Sequence, residues 1–123
     1  MVTIDLESVA GVVVGEANGP LTLQEIRQAA ATIWRQFEGG RIRILWDLRN
    51  ARFNFSAAEV EELAEFMKQR SPFTDLRSAF VVSGNVEFGL VRMYEIFRET
   101  ESAQTAVFRD RERALAWLAS NAA

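Results

Sequence analysis

The residues able to do chemistry are few, and they gather around two strand-to-helix turns. Asp47 stands near the end of an alternating apolar run, and Arg52, Asn54 and Ser56 follow just ahead of a helical pattern. Asn85 holds the equivalent place after a second run, Ser78 to Val82. In open α/β sheets, ligands and partners bind beyond the carboxyl ends of strands, so these five residues form a candidate partner surface. Ser56 could accept a phosphoryl group, or help bind an anion where free helix N–H groups favour negative charge. It could equally be a helix cap. Asp47 could orient a ligand, accept a hydrogen bond from Asn85, or pair with Arg49 or Arg52. Arg52 and Asn54, read as loop residues, could hydrogen-bond a partner. Ser83-Gly84-Asn85 could cradle a phosphate or form an Asn-capped turn.

The chain contains neither cysteine nor histidine. Disulfides, thiolate metal sites, cysteine nucleophiles and the commonest general base are thereby excluded. Catalysis would have to run on carboxylates, Tyr94, Lys68 or hydroxyls. The acidic pairs Glu61-Glu62 and Glu99/Glu101 have no companion base or nucleophile, and no metal-ligand spacing or Gly-rich phosphate loop occurs. A non-enzymatic protein without cofactor or metal is expected, with a carboxylate-based enzyme as the minor alternative.

Net charge is −3, from 17 acidic and 14 basic residues. All the basic residues except Lys68 are arginine, and they are interleaved with acids, as in Arg109-Asp-Arg-Glu-Arg113. Nucleic-acid binding leaves a one-sided basic footprint, which this pattern lacks. The first residues have no signal-peptide pattern, and no apolar run approaches the roughly 20 residues that span a bilayer. A soluble, cytoplasmic protein is the expectation.

These side chains must be positioned by the elements around them. Val2, Ile4 and Leu6 alternate as a first strand, Gly11 to Gly15 makes a second, and Asn18-Gly-Pro20 breaks the chain. Thr22 and Glu25 have capping-box spacing, with Leu21 and Ile26 as a hydrophobic staple. Leu23, Ile26, Ala30, Ile33, Trp34 and Phe37 mark the first helix, which Gly39-Gly40 ends. The third strand sets Ile42, Ile44, Trp46 and Leu48 on one face and Arg41, Arg43, Leu45 and Asp47 on the other. Ser56 and Glu59 repeat the capping box, opening a helix with Val60, Leu63, Ala64 and Met67 as its core stripe. Ser78–Val82 is a fourth strand, and the third helix carries Val86, Leu90, Met93, Tyr94 and Phe97 on one side. Thr105–Phe108 is a fifth strand, and Asp110 caps a last helix bearing Ala114, Trp117 and Leu118.

The order ββαβαβαβα predicts an α/β fold in one domain over residues 1–123: a five-stranded mixed, mostly parallel sheet with four helices. Phe88 and Val91 fall opposite the third helix's stripe, and Phe66 is off the stripe of the second. Helix-to-helix packing would explain them. So would an apolar cleft formed by Phe66, Phe88, Val91, Met93 and Tyr94 for a lipid, a hydrophobic small molecule or a second copy of the chain.

Three stretches carry a family resemblance: Ile44-Leu-Trp-Asp-Leu48, Phe88-Gly-Leu-Val-Arg-Met-Tyr-Glu95 and Val107-Phe-Arg-Asp-Arg-Glu-Arg-Ala-Leu-Ala-Trp-Leu118. With the element order, they resemble the STAS domain superfamily and its SpoIIAA-like branch, over nearly the whole chain. The resemblance implies the fold of anti-sigma-factor antagonists, a regulatory protein as partner, and kinship with lipid-carrying Sec14-like domains. Antagonists of this type are switched by phosphorylating a serine in an Asp-Ser-Ser-Gly-like motif. The matching residues here are Phe55-Ser-Ala-Ala58, with Phe55 at the aspartate and Ala57 at the phosphorylated serine. Only Ser56 keeps a hydroxyl, so the resemblance implies an interaction module without the switch serine. The alternative is binding of a lipid or other hydrophobic molecule, or peripheral contact with a membrane.

Overall fold

The computed structural model of the chain describes residues 5–9 and 11–120. Strands β1 (Asp5–Val9), β2 (Val12–Leu21), β3 (Arg41–Phe53), β4 (Asp75–Val81) and β5 (Ala103–Phe108) form one sheet in chain order. β1 pairs antiparallel with β2, and β2 to β5 run parallel. Val2 and Ile4 of the expected first strand lie outside the described residues. The helices are α1 (Leu23–Gln36), α2 (Ala57–Arg70), α3 (Asn85–Arg98) and α4 (Arg111–Ala119).

Alternation along the strands decides which helix covers which face. Ile42 and Ile44 of β3 pack with Val13, Ile33, Phe73 and Leu76, beneath α1. Leu45, the next residue, packs with Val12, Val14, Ala79 and Val81 against Ala114 and Leu118 of α4. Helices α1, α2 and α3, the three crossovers, therefore share one face, and α4 alone covers the other. The expected two faces of β3 are the observed ones.

Both capping boxes form. Thr22 N–H donates to Glu25 Oε1 at 3.0 Å while Glu25 N–H donates to Thr22 Oγ1 at 3.3 Å. Ser56 and Glu59 repeat the exchange at 3.0 and 3.3 Å. Val60, Leu63, Ala64 and Met67 are the buried residues of α2. Asp110 caps α4, accepting from Glu112 N–H at 2.8 Å.

Four local expectations are corrected. Asn18-Gly-Pro20 does not break the chain: β2 runs through it, with a register shift between Glu16 and Asn18 and a positive φ of 79° at Gly19. Proline is tolerated there because β1 pairs only as far as Glu16, leaving this part of β2 an edge among the described residues. β3 correspondingly extends to Phe53, so Arg52 is a strand residue paired with Pro20 rather than a loop residue. α1 ends at Gln36 with Phe37 as its extended C-cap, ahead of Gly39-Gly40. Gly40, at φ 122°, instead turns the chain so that its carbonyl accepts from Thr74 and Asp75 N–H.

The fourth correction concerns α3. Its buried residues are Val91 and Arg98, and Val86, expected on the core stripe, is 68% exposed. Phe88 and Val91 thus belong to the side that faces the sheet. This helix is apolar nearly all round, so periodicity could not choose its buried side. Its N-cap is Gly84, with no side-chain cap, rather than Asn85.

Close approach requires glycine at position 15. Gly15 lies opposite Trp46 in the sheet, and a β-carbon there would sit 2.7 Å from two carbons of the indole ring. Gly15→Ala is expected to lower stability by about 1–3 kcal/mol, the usual cost of overpacking. Gly89→Ala, on the exposed side of α3 with nothing within 4 Å, is expected to raise it by up to about 1 kcal/mol. Urea unfolding midpoints at unchanged m-value check both.

Candidate functional site

Between the sheet and its three crossover helices the packing leaves a cavity. Its floor is Ile44, Trp46 and Leu48 of β3 with Leu76, Ser78 and Phe80 of β4. α1 contributes Ile26, Ala30, Ile33 and Trp34, α2 contributes Val60, Leu63 and Met67, and α3 contributes Leu90, Val91, Tyr94 and Arg98. Its interior leaves about 80 Å³ open to water-sized groups, room for several at roughly 10–15 Å³ each.

The cavity follows from uneven helix packing. α2 packs along α3 but barely touches α1. Phe66 fills that seam, 5.9 Å from Trp34 of α1 and beneath the Arg27 guanidinium at 4.8 Å. On the floor, Trp46 and Phe80 stack at 6.3 Å, and Tyr94 meets Phe80 edge-on at 5.7 Å. At the end nearest β2's terminus, Phe53 and Phe55 stack at 5.0 Å.

Polar groups enter the cavity mainly at one end, with Ser78 midway along the β4 floor between Leu76 and Phe80. α2 and α3 run the same way, so Ser71, just past α2, and Arg98, in the last turn of α3, reach the same end of the cavity. Arg98 is 4% exposed. It is hydrogen-bonded to the Tyr94 hydroxyl, whose pKa burial pushes up to about 12 despite the opposing effect of that cation. No carboxylate among the described residues forms an ion pair with Arg98. Ser71 Oγ is buried without a hydrogen-bond partner among the described residues.

Of the apolar candidates, Val91 and Tyr94 line this cavity. Phe66 sits in the α1–α2 seam, and Phe88 packs toward Leu21 and Leu48 under Arg109, whose guanidinium is 4.5 Å from the ring. Met93 is half-buried outside the lining. The large apolar residues exposed on α3 are Val86 and Ile96, about 15 Å apart along the helix and about 80° apart around it.

The polar candidates divide between the two faces. Arg52, Asn54, Ser56 and Asn85 are exposed. Asn54 N–H donates to Leu21 O at 2.9 Å, and Asn85 Oδ1 accepts from Arg109 at 2.8 Å. Asp47 is 8% exposed on the α4 face, where Arg49 holds it at 2.7 and 2.8 Å and Arg111 at 3.0 Å. It bonds neither Asn85 nor Arg52. The pairing with Arg49 was legible in sequence; Arg111, 64 residues away, was not.

Burial pushes the Asp47 carboxyl up, but the hydrogen bonds from Arg49 and Arg111 outweigh it and hold the pKa below 3.8. Its contribution is therefore complete above the unfolded-state value and fades as pH falls from about 4 through the lowered folded value. Asp47→Asn is expected to cost about 1–3 kcal/mol at pH 7. In chemical denaturation the gap to wild type should hold from pH 7 to 5 and narrow below about pH 4.

No functionally curated protein matches the sequence. A solved structure does: an uncharacterized protein of the DUF3478 family with a SpoIIAA-like fold, from Shewanella loihica PV-4. It is similar at a TM-score of 0.60 and 19% identity, over 95% of this chain and 93% of that one. At that identity the likeness speaks for the fold. The SpoIIAA-like family profile matches residues 12–119, from the first residue of β2 to the last of α4, and the chain belongs to the SpoIIAA-like family.

Proposed function

We propose that this SpoIIAA-like domain is a non-enzymatic module that takes up a small apolar molecule between its sheet and crossover helices. The observation that carries this reading is the cavity itself. It has walls from three helices and two strands, is apolar along most of its length, and is polar at one end. Such a combination, a largely apolar pocket with a few convergent polar groups, is the usual build of a ligand site. The loosely packed α1–α2 seam, closed by one aromatic side chain, supplies an entry route. No helix among the described residues is long and apolar enough to cross a membrane, so the reading is of a carrier or sensor and not of a spanning anchor.

A regulatory protein partner fits the same molecule at a different place. Arg52, Asn54 and Ser56 stand exposed together at the start of α2, whose other side walls the cavity. A ligand that displaces α2 would be felt there. Ser56 takes part in this rim as a cap, its oxygen already accepting from Glu59 N–H, which favours a docking role over a phosphoryl-accepting one.

The cavity reading is tested by filling it. Ala30, 5% exposed in the lining, is replaced by phenylalanine, and native mass spectrometry follows saturable uptake of uncharged 1-decanol. Wild type is expected to take up one molecule, and folded Ala30→Phe to bind at least tenfold more weakly. Equal uptake by both proteins, or none by wild type, would rule out this cavity as the site.

A further inference from the structure

We propose that the molecule taken up is a single-chain carboxylic acid, held tail-inward along the apolar floor with its carboxylate on Arg98. This rests on the cavity reading and adds the chemical class of the ligand. The argument begins with the cost of Arg98. A guanidinium 4% exposed has given up nearly all its water, and buried charges are ordinarily paired with an opposite one. Arg77, 7% exposed, is answered by the backbone carbonyls of Trp117 and Ser120, and other buried charges meet charged groups. Arg43, 7% exposed, meets the Asp75 carboxylate at 3.2 Å, and Asp47 is shared by Arg49 and Arg111. Arg98 has the Tyr94 hydroxyl, and no acid among the described residues.

A structural role explains less. A cation in the last turn of a helix is favoured by the helix dipole, but Lys68 and Arg70 meet that need at the end of α2 while remaining exposed. The dipole gives no reason to bury the group or to aim it into an apolar cavity. An anionic head group gives both. A guanidinium's planar fork matches a carboxylate with two parallel hydrogen bonds. The second polar feature agrees: Ser71 Oγ, buried without a partner among the described residues, is a hydroxyl donor on the same end of the lining. A carboxylate offers roughly four lone-pair positions, enough to accept from Arg98, Tyr94 and Ser71 together. Apart from Ser78, the rest of the lining is apolar and aromatic, which suits an unbranched alkyl chain.

Three ten-carbon probes of equal length separate the possibilities: decanoate, 1-decanol and decylamine, titrated into the full chain by calorimetry at pH 7. Wild type is expected to bind decanoate at least tenfold more tightly than decanol, and decylamine more weakly than either. Arg98→Met, which removes the charge at similar volume, should abolish the preference and leave decanol affinity within about threefold. Ser71→Ala should weaken decanoate several-fold and leave decanol unchanged, and serves if Arg98→Met does not fold. Equal affinity for decanoate and decanol in wild type overturns the carboxylate assignment and leaves the cavity reading standing. A preference that survives in both folded variants overturns the role given to Arg98 and its polar end. Failure of all three probes overturns both readings.

Discussion

A parallel sheet whose spatial order is its chain order must carry every crossover on one face, because βαβ units are right-handed. Nearly everything particular to this molecule follows from that constraint. α1, α2 and α3 crowd over the face bearing Trp46 and Phe80, while the nine-residue α4 is left to cover the other. The thin side is held by charge as well as by Leu118 and Ala114. Arg77 donates to the carbonyls of Trp117 and Ser120 at α4's end, and Arg111 ties its start to Glu16 and Asp47. The thick side has the opposite difficulty. Three helices cannot all pack tightly over a floor of large aromatic rings, and the slack collects between α1 and α2. The cavity is the result.

Buried charge is answered in more than one way, Arg77 meeting the carbonyls at the end of α4, and the functional argument rests on where Arg98 lies. On the α4 face the buried carboxylate is shared between two arginines, and the buried Arg43 is supplied with Asp75. These pairs are complete within the chain. On the cavity face Arg98 is as buried as any of them and is answered by the Tyr94 phenol. Burying an unanswered cation costs several kcal/mol. The proposed carboxylate would supply the opposite charge.

Much of this was legible in the sequence where local chemistry decides. Thr22/Glu25 and Ser56/Glu59 announce their helices because the capping box is a short-range exchange of hydrogen bonds, and β3 shows its faces because strand alternation is strict. The extension of β2 through Asn18-Gly-Pro20 was not legible, since it depends on an edge that only pairing with β3 creates. α3 defeated periodicity because Val86, Leu90, Ile96 and Phe97 compete with Phe88 and Val91 around the helix. Yet Val91, Tyr94 and Arg98 stand at i, i+3 and i+7, one helical stripe. Arginine is so seldom fully buried that this spacing does not mark a buried site. The cavity had no signal in any residue, because it is a deficit of packing between elements that each look complete.

The three tryptophans offer the most direct measurement on the cavity. Trp34 and Trp46 line it, while Trp117 packs on the α4 face against Phe108 and Arg77. A brominated alcohol, 10-bromodecanol, quenches indole fluorescence only at close range, so it reports which face the chain enters. Saturable quenching is expected in wild type, with none in the Trp34→Phe/Trp46→Phe double variant that keeps Trp117. Quenching of Trp117 to the same extent, or a purely collisional rise without saturation in wild type, would contradict an interior site between the sheet and its crossover helices.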